Sequence, residues 1–166
     1  MDDAALAEVM HRLADAVLIA DADGQIVFWN AAAERLFGWS NEEAVGQRLD
    51  LIIPERLRDR HWEGWHRVMT TRETKYGDSL LEVPALRRDG TPLSIAFTVS
   101  LLTDPGTDEV TRVVALLRDD TVRWQERREM NAELARLRAD PRLAEPSSWS
   151  LARRMLRGGR AAPGQS

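Results

Sequence analysis

Strand-like segments stand at both ends of the first 120 residues, and helical ones fill the middle. That order restricts the fold more than any other feature of the chain. Strands at the two ends with helices between them predict one antiparallel sheet carrying its helices on one face, an α+β plan. The first pair of strands is read from "VLIADADGQIVFWN": an apolar run, an Asp23-Gly24 turn, then Ile26 to Trp29. The other three lie after residue 74. "KYGDSLLEVPAL" is strand-like up to Pro84, which marks a bulge or an edge position. "RRDG" is a turn, and "TPLSIAFTVSLL" alternates, with Leu93, Ile95, Phe97 and Val99 on one face. "VTRVVALLR" is apolar and β-branched.

The helical signals are equally local. Leu6, Val9, Met10 and Leu13 share a stripe in "DDAALAEVMHRLADA", with His11 off it and solvated. Asn30 caps "AAAERLFGW", and Ser40 with Glu43 forms a capping box for the next helix. Pro54 opens a longer helix through "ERLRDRHWEGWHRVMTT". After residue 121 the spacing is helical again, with Met130, Leu134 and Leu137 on a narrow seam. The expected divisions are a flanking helix over 1–14, a sensor-sized domain over 15–120, a second flanking helix over 121–140 and a basic, flexible tail over 141–166.

Charge narrows the function. Residues 141–166 carry five arginines and one acid, and the rest of the chain carries 18 basic and 26 acidic groups. The body therefore lacks the concentrated positive charge that phosphate contacts need, which argues against nucleic acid. Only the tail suits an anionic surface. There is no cysteine, which excludes disulfides, thiolate metal ligands and a cysteinyl photoadduct. No apolar run reaches membrane length and no secretory leader opens the chain, so the expected address is cytoplasmic. Glycine-rich phosphate loops and catalytic metal spacings are missing from the sequence, and the expectation is a non-enzyme. The acidic pairs Asp2-Asp3, Glu42-Glu43 and Asp119-Asp120 read as helix-start charges, and Trp29, Trp39 and Trp124 as packing residues.

The chemistry concentrates in the long helix. With about 100° per residue, Leu57, His61, Trp65 and Val68 form one inward stripe. Gly64 stands about 60° to one side of His61, Trp65 about 40° to the other, and His66 about 140° away, facing solvent. A glycine inside a helix costs about 1 kcal/mol relative to alanine, so its place beside His61 asks for compensation. Clearance for a flat ligand bonded to the imidazole is one answer; close packing of helix on sheet is another. Imidazole suits haem iron, and it equally suits a half-buried histidine bonded to a backbone carbonyl.

Over roughly residues 5–125 the chain resembles the PAS domain family. The resemblance rests on "ADADGQIVFWNAAAERLFGWSNEEAVGQ", on "RRDGTPLSIAFTVS", and on "RDDT", which is similar to the Asp-Ile-Thr signature at the hand-over to an output helix. It implies a five-stranded antiparallel sheet with short helices on one face and flanking N- and C-terminal helices. From "IIPERLRDRHWEG" to "RRDG" the chain is similar, without a gap from the helix histidine to the Asp-Gly turn, to the haem-binding PAS domains of bacterial oxygen-sensing phosphodiesterases, and rhizobial haem-PAS oxygen sensors agree with them on His61. That resemblance assigns the proximal iron ligand to His61, with Gly64 and Trp65 beside it. It places Phe97 and Val99 in an apolar distal wall, and Arg67, Lys75 and Tyr76 near the cofactor's edge. Arg67 and Lys75 read equally as solvated charge. Those sensors set an arginine or a methionine over the iron, at positions held here by Leu81 and Ser79. Leucine donates no hydrogen bond, and serine is short. The expected function is a PAS sensor binding haem b and responding to O2, CO, NO or redox state. It would pair as a homodimer through the flanking helices and signal to an effector in trans. The competing expectations are a cofactor-free interaction module and a PAS domain holding flavin or a metabolite.

Overall fold

The computed structural model describes residues 2–73 and 79–140, so Lys75 and Tyr76 lie outside the described residues, as does the tail. The chain divides into two compact units, 1–124 and 125–166. The first holds α1 (Asp3–Arg12), β1 (Ala16–Asp21), β2 (Ile26–Trp29), α2 (Ala31–Phe37), α3 (Asn41–Ala44), a 3-10 turn (Leu49–Leu51), α4 (Glu55–Thr71), β3 (Leu81–Leu86), β4 (Pro92–Thr103) and β5 (Val110–Asp119). Helix α5 (Thr121–Ala139) starts in the first unit and supplies the described part of the second.

The sheet is wholly antiparallel, in the order β2-β1-β5-β4-β3. This is the expected α+β architecture. Strand β3 does not end at Pro84. It runs on to Leu86, and the proline is accommodated because β3 lies at the sheet edge, where its missing N–H leaves no ladder bond broken.

Local signals act as read. Gly24 takes a φ of 78° in the β1–β2 turn, a conformation that side chains with a Cβ resist. The Ser40–Glu43 capping box is complete. Asn30 does more than cap α2. Fully buried, it accepts from Ala33 N and Val17 N at 2.9 Å each and donates to the carbonyls of Met10 and Asp15. One side chain thereby ties α1, β1 and α2 together, which satisfies every polar group it brings inside.

His11 is exposed, yet its ring lies 4.8 Å from that of Phe28 on β2. Trp124 is 41% exposed and is not a core residue, unlike Trp29, which is fully buried. The core runs from Ala16, Leu18 and Ala20 through Trp29, Ala33 and Phe37 to Leu93, Ile95 and Leu117. Neither α1 nor α5 buries a residue, so Leu6, Val9, Met130, Leu134 and Leu137 keep large exposed fractions.

Candidate functional site

Helix α4 begins after Pro54, whose backbone stands in the N-cap position, and ends at Arg72 in the left-handed conformation. The inward stripe is present but shallow. Trp65 is its one buried residue; Leu57, His61 and Val68 are half-buried. Trp65 anchors the helix by donating its indole N–H to the Ala22 carbonyl at 2.9 Å. A second anchor was not legible in the sequence. Trp62 donates to Asp50 Oδ1 at 2.8 Å, lies under the Arg48 guanidinium at 4.2 Å, and covers Gly24.

His61 sits among these rings. Its imidazole meets Trp62 edge-on at 4.8 Å and Trp65 at 5.9 Å. Its Nδ1 is buried, and no hydrogen bond from the described residues reaches it. Burial holds the imidazole pKa below its ordinary value of 6.5, with the Asp50 charge opposing the shift. His61 is therefore neutral at pH 7, the state in which an imidazole can bind a metal. The carbonyl-bonded histidine, one of the two readings of this position, is not what the described residues form. Gly64 is half-buried, and a Cβ built on it meets nothing within 4 Å. Close packing of helix on sheet therefore does not account for this glycine, whose Cβ position is open.

The sheet itself is unevenly covered. On one face of β4, Leu93 and Ile95 are buried, while Phe97, Val99 and Leu101 are only half-buried. Leu81 pairs with Phe97 across β3 and β4 and is half-buried too. Leu81, which stands at the expected donor position, and the expected wall residues Phe97 and Val99 thus share one partly open apolar surface. Among the described residues, no ring contact joins His61 to Phe97. Ser79 and Arg67 are exposed. His66 is exposed as expected, and it also borders a cleft of about 350 Å³ between the β1–β2 turn and α4, together with Asp23, Gln25, Arg48, Trp62 and Trp65.

The joint with α5 is built from charge and caps. Arg87, in the β3–β4 turn, donates to the Leu36 carbonyl and pairs with Asp119 at 2.8 Å. Asp119 accepts from Thr121 N at 2.9 Å, and Thr121 Oγ1 accepts from Ser94 N. Partial burial works against ionising Asp119, but the Thr121 and Arg87 contacts outweigh it and hold its carboxyl below the usual range. Asp120, the acidic residue in the middle of "DDT", is buried, and its N–H donates to the Ser94 carbonyl.

Comparison with known proteins agrees with this architecture. A solved PAS domain from Colwellia psychrerythraea superposes with a TM-score of 0.61, covering 71% of this chain and 96% of its own, at 21% identity. At that identity it supports the fold alone. The sensor protein FixL of Bradyrhizobium diazoefficiens is 32% identical over 129 residues, 78% of this chain and 26% of FixL. The oxygen sensor protein DosP of Escherichia coli is 30% identical over 112 residues, 68% of this chain and 14% of DosP. The chain thus spans about a quarter or less of these relatives. The family model for the PAS fold matches residues 4–119, and the chain belongs to the PAS family.

Proposed function

We propose that this PAS domain binds haem b through His61 and senses a diatomic gas (O2, CO or NO) or redox state. The observation that carries the reading is the imidazole of His61: neutral, half-buried between two indoles, and one turn before a helical glycine whose Cβ position is open. The residues present fit the group. His61 offers the nitrogen ligand, Gly64 the clearance, Trp65 a flat apolar neighbour, and Leu81, Phe97 and Val99 an apolar wall. Arg67, Lys75, Tyr76 and Ser79 complete the proposed surroundings. Similarity to FixL and DosP supports the same reading. Haem, if bound, would supply an iron able to take up a diatomic gas at that position. The wall offers that position no charged donor, because Leu81 cannot hydrogen-bond, so the proposed site holds CO better than O2.

The signal leaves through the joint at Asp119 and Thr121, where α5 starts. A shift of α5 is the proposed output, acting on an effector in trans within the cytoplasm. The domain works as a sensor, without catalysis of its own. Exposed apolar side chains on α1 and α5 support a homodimer, in which each of Met130, Leu134 and Leu137 contributes about 1.5–3 kcal/mol before ordering costs. Sedimentation at micromolar concentration is expected to show dimers that Leu134→Asp dissociates. A monomer unaffected by that change contradicts the pairing.

The visible spectrum of the purified and haem-reconstituted protein tests the cofactor. A Soret band is expected. A flavin spectrum, or no chromophore after reconstitution, defeats the haem reading in favour of a flavin site or a cofactor-free module.

A further inference from the structure

We propose that Trp62 is the positioning residue for His61, and that Asp50, Arg48 and Gly24 fix Trp62 for this purpose. The inference rests on the reading of His61 as a ligand for its consequence, though not for its geometry. Adjacent residues on a helix point about 100° apart and do not face each other. The rings of His61 and Trp62 nevertheless meet at 4.8 Å with an interplanar angle of 82°. Something holds the indole turned toward its neighbour.

Three contacts from outside the helix do so. The indole N–H is tied to Asp50 Oδ1 at 2.8 Å. The Arg48 guanidinium stacks on the ring at 4.2 Å, a cation–π contact. The ring also occupies the place of a side chain at position 24: a Cβ built on Gly24 falls 2.4 Å from Cη2 and 2.5 Å from Cζ3 of Trp62. Asp50 is itself flanked by two arginines, with Arg48 Nε and Arg58 Nε each 3.8 Å from its carboxylate. The indole is thus gripped by two separate segments, the β1–β2 turn and the stretch before α4.

His61 needs such support. A metal-binding histidine is ordinarily oriented by a hydrogen bond from its second ring nitrogen. Here Nδ1 has no such partner among the described residues. The ring plane is set instead by aromatic packing, edge-on against Trp62 and tilted against Trp65.

The test compares Trp62→Leu, Trp62→Phe and Asp50→Ala with the wild type, with thermal melting recorded for each. Asp50→Ala releases the indole without removing it, and so serves if Trp62→Leu does not fold. Ferric haem is titrated into each protein, and the iron–histidine stretching band of the ferrous form is recorded by resonance Raman. Trp62→Leu should bind haem about tenfold more weakly with a shifted or broadened band. Trp62→Phe, which keeps a flat ring, should recover most of both, and Asp50→Ala should broaden the band. Folded Trp62→Leu with wild-type affinity and band overturns the proposal, as does a haem affinity that follows melting temperature and not the presence of a ring. A wild type that takes up no haem defeats the reading of His61 as a ligand and leaves the geometry to proton NMR of the haem-free protein. There, the His61 ring signals should be displaced by the indole and should move in Trp62→Leu; signals that do not move overturn the proposal.

Discussion

Helix α2 and helix α4 lie against the same core and use it differently. Helix α2, seven residues long, buries Ala32, Ala33 and Phe37, with Phe37 entirely inaccessible. Helix α4, with seventeen residues, buries only Trp65. Strand β4 records the same contrast along its length. Its inward residues are equally apolar in sequence, but Leu93 and Ile95 are buried where Phe97, Val99 and Leu101 are half-open. What differs is the cover, not the strand. One half of the domain is a packed interior that holds the fold. The other holds a half-open apolar strand surface and a helix held by two indole anchors, and a loosely covered apolar surface can take a ligand with little loss of packing.

The largest expected effect separates the two halves by stability. Phe37→Ala removes a fully buried ring and should cost about 3–5 kcal/mol in the haem-free protein. Val99→Ala removes half-exposed methyl groups and should cost roughly 1 kcal/mol. Chemical denaturation of both variants checks this; equal losses would mean that the wall is as tightly packed as the core.

A smaller effect concerns pH. Burial lowers the pKa of His61 in the folded state, so the unfolded chain binds a proton that the folded one resists. The corresponding stability is fully present above about pH 6.5, the ordinary histidine value, and is lost as pH falls through the lower folded value. His61→Gln should flatten this part of the melting-temperature profile of the haem-free protein. A profile that keeps its slope places the titration elsewhere.

The packed half was the more legible in sequence. Asn30, the Ser40–Glu43 box and the Asp23-Gly24 turn act within a few residues, and short spacing is what a sequence displays directly. The open half depends on contacts between distant segments. Helical spacing placed His61 and Trp65 inward, but nothing nearby marks Trp62, because its partners Gly24, Arg48 and Asp50 come from the β1–β2 turn and the stretch before α4. A turn glycine with φ of 78° already has a conformational reason to be glycine, which hid its second role of receiving an indole. The same holds for Asn30, whose cap was local and whose bond to Met10 spans 20 residues. Arg87 read only as part of a turn, although it links Leu36 to Asp119 at the start of α5.

If the open half is built around His61, a pair of substitutions on one helix must separate that residue from its neighbour. His61 and His66 lie on the same element five residues apart, one half-buried among indoles and one exposed at the cleft. His61→Ala and His66→Ala are each reconstituted with haem and their Soret bands compared with that of the wild type. His61→Ala should lose the band or shift it to that of unligated haem, while His66→Ala should keep it. A wild-type band in His61→Ala, or its loss in His66→Ala alone, would show that His61 is not the ligand.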